Sequence, residues 1–242
     1  MTRHATNALP TFERICDIGH PKMESIRITH TDNGLQIEGF PDGVKVIQLD
    51  GPKARRLSDL ALHRADLQFA RDSLEALNND ALSEHIRESL WRSAIVHFFK
   101  CFGANESRFS LQPNAVYKGT PPEALMVFEH FKLIRDKHLV HDENSYAQCS
   151  VGAILNNGTK SFKVEKIVAS AMFAATLDQA PYSNFQLSIQ RSLDWVIGQF
   201  DELTDNLTLE LEGIPYQELV ARQALTVTPA KIEELGYPRK RP

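Results

Sequence analysis

Cysteine is scarce. The chain of 242 residues has Cys16, Cys101 and Cys149, with no Cys-x-x-Cys pair. An odd, widely spaced set excludes a disulfide framework and a zinc ribbon, and fits a reducing cytosol. Long apolar runs are missing too. Even Ser93 to Phe99 is interrupted, far short of the roughly 20 residues of a membrane-spanning helix. The start, MTRHATNALPTFERICD, has no apolar signal core, so a cytoplasmic chain with no membrane partner is expected. Nor is there an excess of basic charge: the formal net charge is −4. Proteins that coat nucleic acid are usually basic. Sustained nonspecific binding is therefore disfavoured, whereas a local basic cleft that engages RNA briefly is allowed. Glycine-rich phosphate loops, Gly-x-Ser-x-Gly and His-Glu-x-x-His are absent, and no cofactor is expected.

What the chain does have is periodicity. In SIRITHTDNGLQIEGFPDGVKVIQL, three alternating runs are separated by Asp32-Asn33-Gly34 and Pro41-Asp42-Gly43. Such turns supply the positive-φ glycine of a tight hairpin. The pattern predicts a three-stranded antiparallel meander over 25–49, after an irregular lead over 1–24. From about 56 the period becomes helical: Leu60, His63, Leu67, Ala70, Leu74 and Leu77 alternate spacings of three and four. Trp91, Ile95, Phe98 and Phe102 mark a second helix over about 81–102, with Asp80 as its cap. Residues 103–119 read as a loop. Thr120-Pro121-Pro122-Glu123 predicts a third long helix, opened by a capping box. YAQCSVGAIL and SFKVEKIVAS flank Asn156-Asn157-Gly158-Thr159 as a hairpin, though 163–177 also admits some helix. Ile189, Leu193, Val196, Phe200, Leu203 and Leu207 keep heptad spacing along a last long helix. Gly213-Ile214-Pro215 breaks it, and a short helix over 217–225 follows. The expected class is mainly α: an antiparallel helical bundle with a small N-terminal β-meander and a β-hairpin before the last long helix. The domains are read as 1–55, 56–225 and a basic tail over 226–242.

One stretch raises a question of chemistry. LIRDKHLVHD, Leu133 to Asp142, places Arg135, Asp136, Lys137, His138 and His141 at the end of the third long helix. Arginine holds a phosphate by two parallel hydrogen bonds and stabilises added charge at phosphorus. Histidine moves a proton near neutral pH. Together they suffice for metal-independent RNA cleavage by the ribose 2′-hydroxyl. Cations at a helix C-terminus also complement its dipole, and Lys132–Asp136 is an ordinary i,i+4 pair, so spacing alone leaves both readings open. On a straight α-helix, Arg135 and His141 lie about 9 Å apart along the axis and about 240° apart around it. A working site therefore needs the helix to end near Leu139, or a second copy to complete it. His138-x-x-His141-Asp142 has metal-ligand character, yet no cysteine or glutamate pair completes the set. His63 reads as a core histidine, and His130 as a possible neighbour of the same cleft. Trp91 and Trp195 read as core anchors.

The stretch resembles the motif of the HEPN superfamily, helical proteins named for higher eukaryotes and prokaryotes nucleotide-binding. That motif is an arginine, a polar residue, and a histidine four to six residues on. Arg135, Asp136 and His141 match it with five residues intervening, and Lys137 is typical. Val140 stands where a small residue is usual. SLWRSAIVHFFKCFG resembles the preceding helix of bacterial members. The likeness covers roughly 57–211 and leaves out the meander. It implies a homodimeric bundle with two motifs facing across a cleft, and in many members a metal-independent endoribonuclease of toxin–antitoxin or anti-phage defence systems. Some members are not nucleases. By this likeness Arg135 holds phosphate, His141 is the general acid or base, Asp136 orients one of them, and Lys137 and His138 contact RNA. Expected partners are RNA, a second copy, and an antitoxin or sensor protein. The alternative is a non-catalytic dimerisation module that binds a protein partner. The two would differ in whether two copies of Arg135 and His141 share a cleft, or Arg135 pairs within its own chain and His141 stands alone.

Overall fold

A computed structural model of the chain describes residues 28–31, 34–104, 107–141, 143–177, 179–226 and 231–237. The lead over 1–24, Cys16, Asp142 and the basic residues at 239–241 lie outside the described residues. The chain forms two compact units, one of residues 1–55 with 201–242 and one of residues 56–200. The described residues are mainly helical, with two small two-stranded antiparallel sheets.

The first unit corrects the expected meander. β1 (Ile28–Thr31) and β2 (Gly34–Ile37) pair antiparallel, but the third run does not join them. Its backbone bonds go elsewhere. Gln48 N–H donates to the Gln223 carbonyl, and Leu225 N–H to the Val46 carbonyl, both at 2.8 Å. Lys45 Nζ donates to the Val220 carbonyl at 2.7 Å. Main-chain donors and acceptors must find partners, and here they find them on a segment far along the chain. Gly43 also has a different role from the one expected. The positive φ belongs to Gly39, at 81°. A Cβ on Gly43 would meet Ile37 Cδ1 at 3.0 Å, so this glycine is needed for close approach.

The second unit is built on four long helices. α1 (Pro52–Ala76) opens on Pro52, whose missing N–H costs nothing in a first turn. α2 (Glu84–Lys100) starts later than expected, and its cap is Ser83 rather than Asp80: Ser83 Oγ accepts from Ile86 N–H at 3.4 Å. α3 (Pro113–Val116) is a single turn within the expected loop. α4 (Pro122–Ile134) has no capping box. Its N-cap is Pro121, and Thr120 Oγ1 instead donates to the Tyr117 carbonyl at 2.7 Å. β3 (Ala147–Leu155) and β4 (Val164–Phe173) form the hairpin, and 164–173 is strand rather than helix. Gly158 supplies the positive φ, 82°, in its connection. α5 (Gln179–Glu212) is the last long helix; α6 (Tyr216–Ala221), which belongs to the first unit, is shorter than expected.

Aromatic rings hold α2, α4 and α5 together within this unit. Trp91 meets Phe131 edge-on at 5.9 Å and Phe185 at 5.5 Å, and Phe131 meets Phe185 at 4.6 Å. Phe98 and Phe99 reach Phe128 at 6.2 and 5.2 Å. Trp91 Nε1 donates to Thr176 Oγ1 at 3.0 Å, so the buried indole has no orphan polar atom. A polar stripe on α1 performs a second task. Asp59 Oδ2 accepts from Phe109 N–H at 3.2 Å, and His63 Nε2 donates to the Phe109 carbonyl at 2.7 Å. Asp66 accepts from His97, Lys100 and Arg108 at 2.9, 3.0 and 2.7 Å. These bonds tie the segment after α2 back onto α1. Cys101 is buried here, and burial pushes its thiol up to about 12, which disfavours the reactive thiolate.

Two predictions follow from this packing. Trp91→Ala removes the central ring and its hydrogen bond, and is expected to lower unfolding free energy by about 3–5 kcal/mol, read from urea denaturation. The second concerns acid. Burial, with the Arg108 charge, holds His63 down at about 4, so it is neutral when folded. Burial raises the Asp66 carboxyl, but hydrogen bonds from Lys100, Arg108 and His97 outweigh it and leave it below its usual range. The unfolded chain therefore binds more protons on acidification. Stability is expected to be full above pH ~6.5, to fall as His63 takes up a proton in the unfolded state down to pH ~4, and to fall further as Asp66 protonates. His63→Gln should flatten the upper part of that slope in urea titrations, and an unchanged slope would refute the assignment.

Candidate functional site

α4 is fixed by its buried face: Phe128, Phe131 and Ile134 all point into the core. At Arg135 the α geometry stops. Residues Arg135–Val140 form a π-helical turn, and His141 leaves it in an extended conformation, φ −130° and ψ 132°. Single π turns are rare and recur at functional sites. The chain then doubles back. Glu143 N–H donates to the Lys137 carbonyl at 3.0 Å and to the His141 carbonyl at 2.9 Å, satisfying carbonyls that a helix end leaves orphaned. The condition set by the helical wheel is thus approached within one chain. The helix ends at Val140, one residue past Leu139, and His141 stands outside it.

Arg135 is half-buried and held on two sides. Its Nε donates to Asp136 Oδ1 at 2.6 Å, and a second guanidinium nitrogen reaches the same oxygen. Its guanidinium lies 5.3 Å from the centre of the Phe99 ring, a cation–π distance. The expected Lys132–Asp136 pair is not formed; Lys132 is 3.8 Å from Glu129. An arginine has five N–H donors, so this clamp leaves donors for a phosphate. Lys137 is exposed and hydrogen-bonded to Glu143. That bond and the carboxylate charge hold the Lys137 ammonium above its usual range and Glu143 below its own.

The two histidines have opposite settings. His141 is exposed. His138 is only 5% exposed, with its ring edge-on to Tyr146 at 5.4 Å. Neither of its ring nitrogens has a hydrogen-bond partner. The structure therefore brings Arg135 and Asp136 together and joins Lys137 to Glu143. No hydrogen bond links Arg135 to His141 among the described residues. No group of three or more His, Cys, Asp or Glu among the described residues could hold a metal ion. His130 is exposed, its ring against Phe131. No described helix is long and apolar enough to cross a membrane.

Phe99, Glu143 and Tyr146 were not anticipated. Glu143 follows Lys137 by six positions, which is no helical spacing. Phe99 and Tyr146 belong to different elements, so no local pattern announces them.

Protein-family models, curated proteins and solved structures give no match to the chain.

An imidazole nitrogen buried without a partner costs about 1–3 kcal/mol. If packing against Tyr146 is the whole role of His138, His138→Leu should keep or raise stability, and His138→Ala should lower it by leaving a cavity. A marked loss in the leucine variant, read by urea denaturation, would show that a ring nitrogen is in use.

Proposed function

We propose that the chain is a HEPN-like, metal-independent endoribonuclease that works as a homodimer, built on an antiparallel helical bundle. The observation that carries this reading is the π-helical end of α4. It presents a clamped Arg135 and, one turn of chain later, an exposed His141. Asp136 sits where an orienting carboxylate is wanted, on Arg135.

In this reading the RNA 2′-oxygen attacks the adjacent phosphorus, and the bond from phosphorus to the 5′-oxygen breaks. One histidine takes the 2′-hydroxyl proton, and another gives a proton to the departing 5′-oxygen. Arg135 stabilises the extra negative charge on the phosphoryl oxygens. The products are a 2′,3′-cyclic phosphate and a 5′-hydroxyl. One chain has one His141, so a second copy supplies the second proton-transfer group. Its biological setting would be a toxin–antitoxin or anti-phage system in the cytoplasm, with an antitoxin or sensor as partner.

Purified protein is expected to cut RNA in EDTA and leave cyclic phosphate ends. His141→Ala and Arg135→Ala should each lose roughly 10²–10⁴-fold in rate. Undiminished cleavage by His141→Ala would sink the proposal. One observation favours the second reading, a non-catalytic interaction module: Arg135 is already paired within its own chain, and among the described residues no hydrogen bond or ion pair reaches the His141 side chain. A folded wild type that leaves RNA uncut in EDTA would decide for it.

A further inference from the structure

The β3–β4 ribbon carries a face that nothing among the described residues covers. The antiparallel register sets Ala147 opposite Phe173, Cys149 opposite Ala171, Val151 opposite Ala169, Ala153 opposite Ile167, and Leu155 opposite Val164. Directly opposed residues share a face of a sheet, and every residue in these pairs is apolar. The other face mixes Gln148, Ser150, Lys166 and Ser170 with apolar neighbours. Glu165 is the extra residue of a bulge, ion-paired to Lys160 at 2.6 Å. The ribbon is thus amphipathic, yet its apolar face is in water: Val151 is 73% exposed, Ile167 63%, and Leu155 and Phe173 67% each.

An isolated two-stranded ribbon is marginal without something to pack on. We propose that this face seats the same face of a second copy of the chain. Three features point to that occupant. First, the five paired rungs carry no charge, and the one charge beside them, Glu165 of the bulge, is already paired with Lys160, so a second identical face meets them without stranding a charge, which a polar or charged partner surface would do. Secondly, three of the five rungs set a large residue against a small one: Phe173 by Ala147, Val151 by Ala169 and Ile167 by Ala153. Under a two-fold axis the large side chains of one ribbon lie over the small ones of the other, as an isologous contact requires. The third is area. Strands of nine and ten residues make a ribbon about 30 Å long and about 10 Å wide. With the relief of its side chains the accessible apolar surface is roughly 600 Å², the upper end for a monomer. Two such faces bury on the order of 1,000 Å² together, the threshold for a specific interface.

The ribbon is rooted at the candidate site. Tyr146 immediately precedes β3, its ring packs on His138, and its carbonyl accepts from Ala174 N–H at 2.8 Å, just after β4. A dimer seated on the ribbon therefore grips the segment that closes the π-helical turn.

The proposal stands independently of RNA cleavage, because its test reads assembly alone. In sedimentation equilibrium the full-length wild type is expected to be a dimer at micromolar concentration. Val151→Lys/Ile167→Lys should be monomeric with an unchanged circular dichroism spectrum, and Ser150→Lys on the opposite face should remain dimeric. A monomeric wild type would leave the face to another partner and overturn the proposal. So would a double variant that stays dimeric, or a dimer that Ser150→Lys also dissociates. Cys149 gives a second measurement that needs no variant. It is an exposed free thiol on the proposed interface. Its alkylation rate, read by peptide mass spectrometry, should fall as protein concentration rises. A rate independent of concentration would refute the interface.

Discussion

The seat of α4 among aromatic rings is the constraint on which the rest of the second unit depends. Phe128 and Phe131 face Phe98, Trp91 and Phe185, so neither rotation nor slippage of the helix is available without opening the core. Interiors packed at crystal-like density resist such shifts. Because the register of α4 is locked, so is the place where its last residues emerge. Phe99 belongs to the same cluster, and its ring lies under Arg135. Core and candidate site therefore share a wall, and a substitution meant only to loosen the core would also release the guanidinium.

That dependence explains why one stretch of chain serves both packing and display. Arg135 and His138 point inward, onto Phe99 and Tyr146, while Lys137 and His141 point outward. A straight α-helix through His141 would leave its terminal carbonyls to water. The π-helical turn, closed by Glu143 N–H on Lys137, ends the helix within the protein's own bonding and frees His141 from the helical wheel. The clamp on Arg135 fits both functional readings. Under catalysis it is preorganisation, which lowers the cost of holding a phosphate. Under an interaction role it is a surface ion pair of little energetic weight. What differs between the two is whether the guanidinium's remaining donors meet a phosphate.

The long elements were legible in the sequence because each writes its own period. Leu60, Leu67 and Leu74 mark the buried stripe of α1, and all three are buried. Ile189, Leu193 and Val196 do the same for α5. Alternation with Asn-Asn-Gly-Thr between revealed the hairpin. What the sequence does not display are bonds closed over distance. The run at Val46 alternates like a strand, and it does hydrogen-bond like one, but to the segment at Gln223 rather than to its neighbour. Thr120 and Glu123 satisfy a capping pattern, yet the Thr120 hydroxyl turns to Tyr117. At the site, Arg135 and His141 were legible as chemistry. Their supports, Phe99, Glu143 and Tyr146, were not, because each is placed by tertiary structure rather than by spacing.

The hairpin carries the same lesson one level up. Its alternation was readable as strand, but alternation usually means one face on a core and one in water. Here both faces meet water, and the apolar one still carries the composition of a core-facing surface. Burying Val151, Leu155, Ile167 and Phe173 would stabilise an assembly by about 1.5–3 kcal/mol each if fully covered, before the costs of association. A single chain forgoes that stabilisation. The same segment roots beside the π-helical turn through the contact of Tyr146 with His138, so the uncovered ribbon and the end of α4 share one attachment.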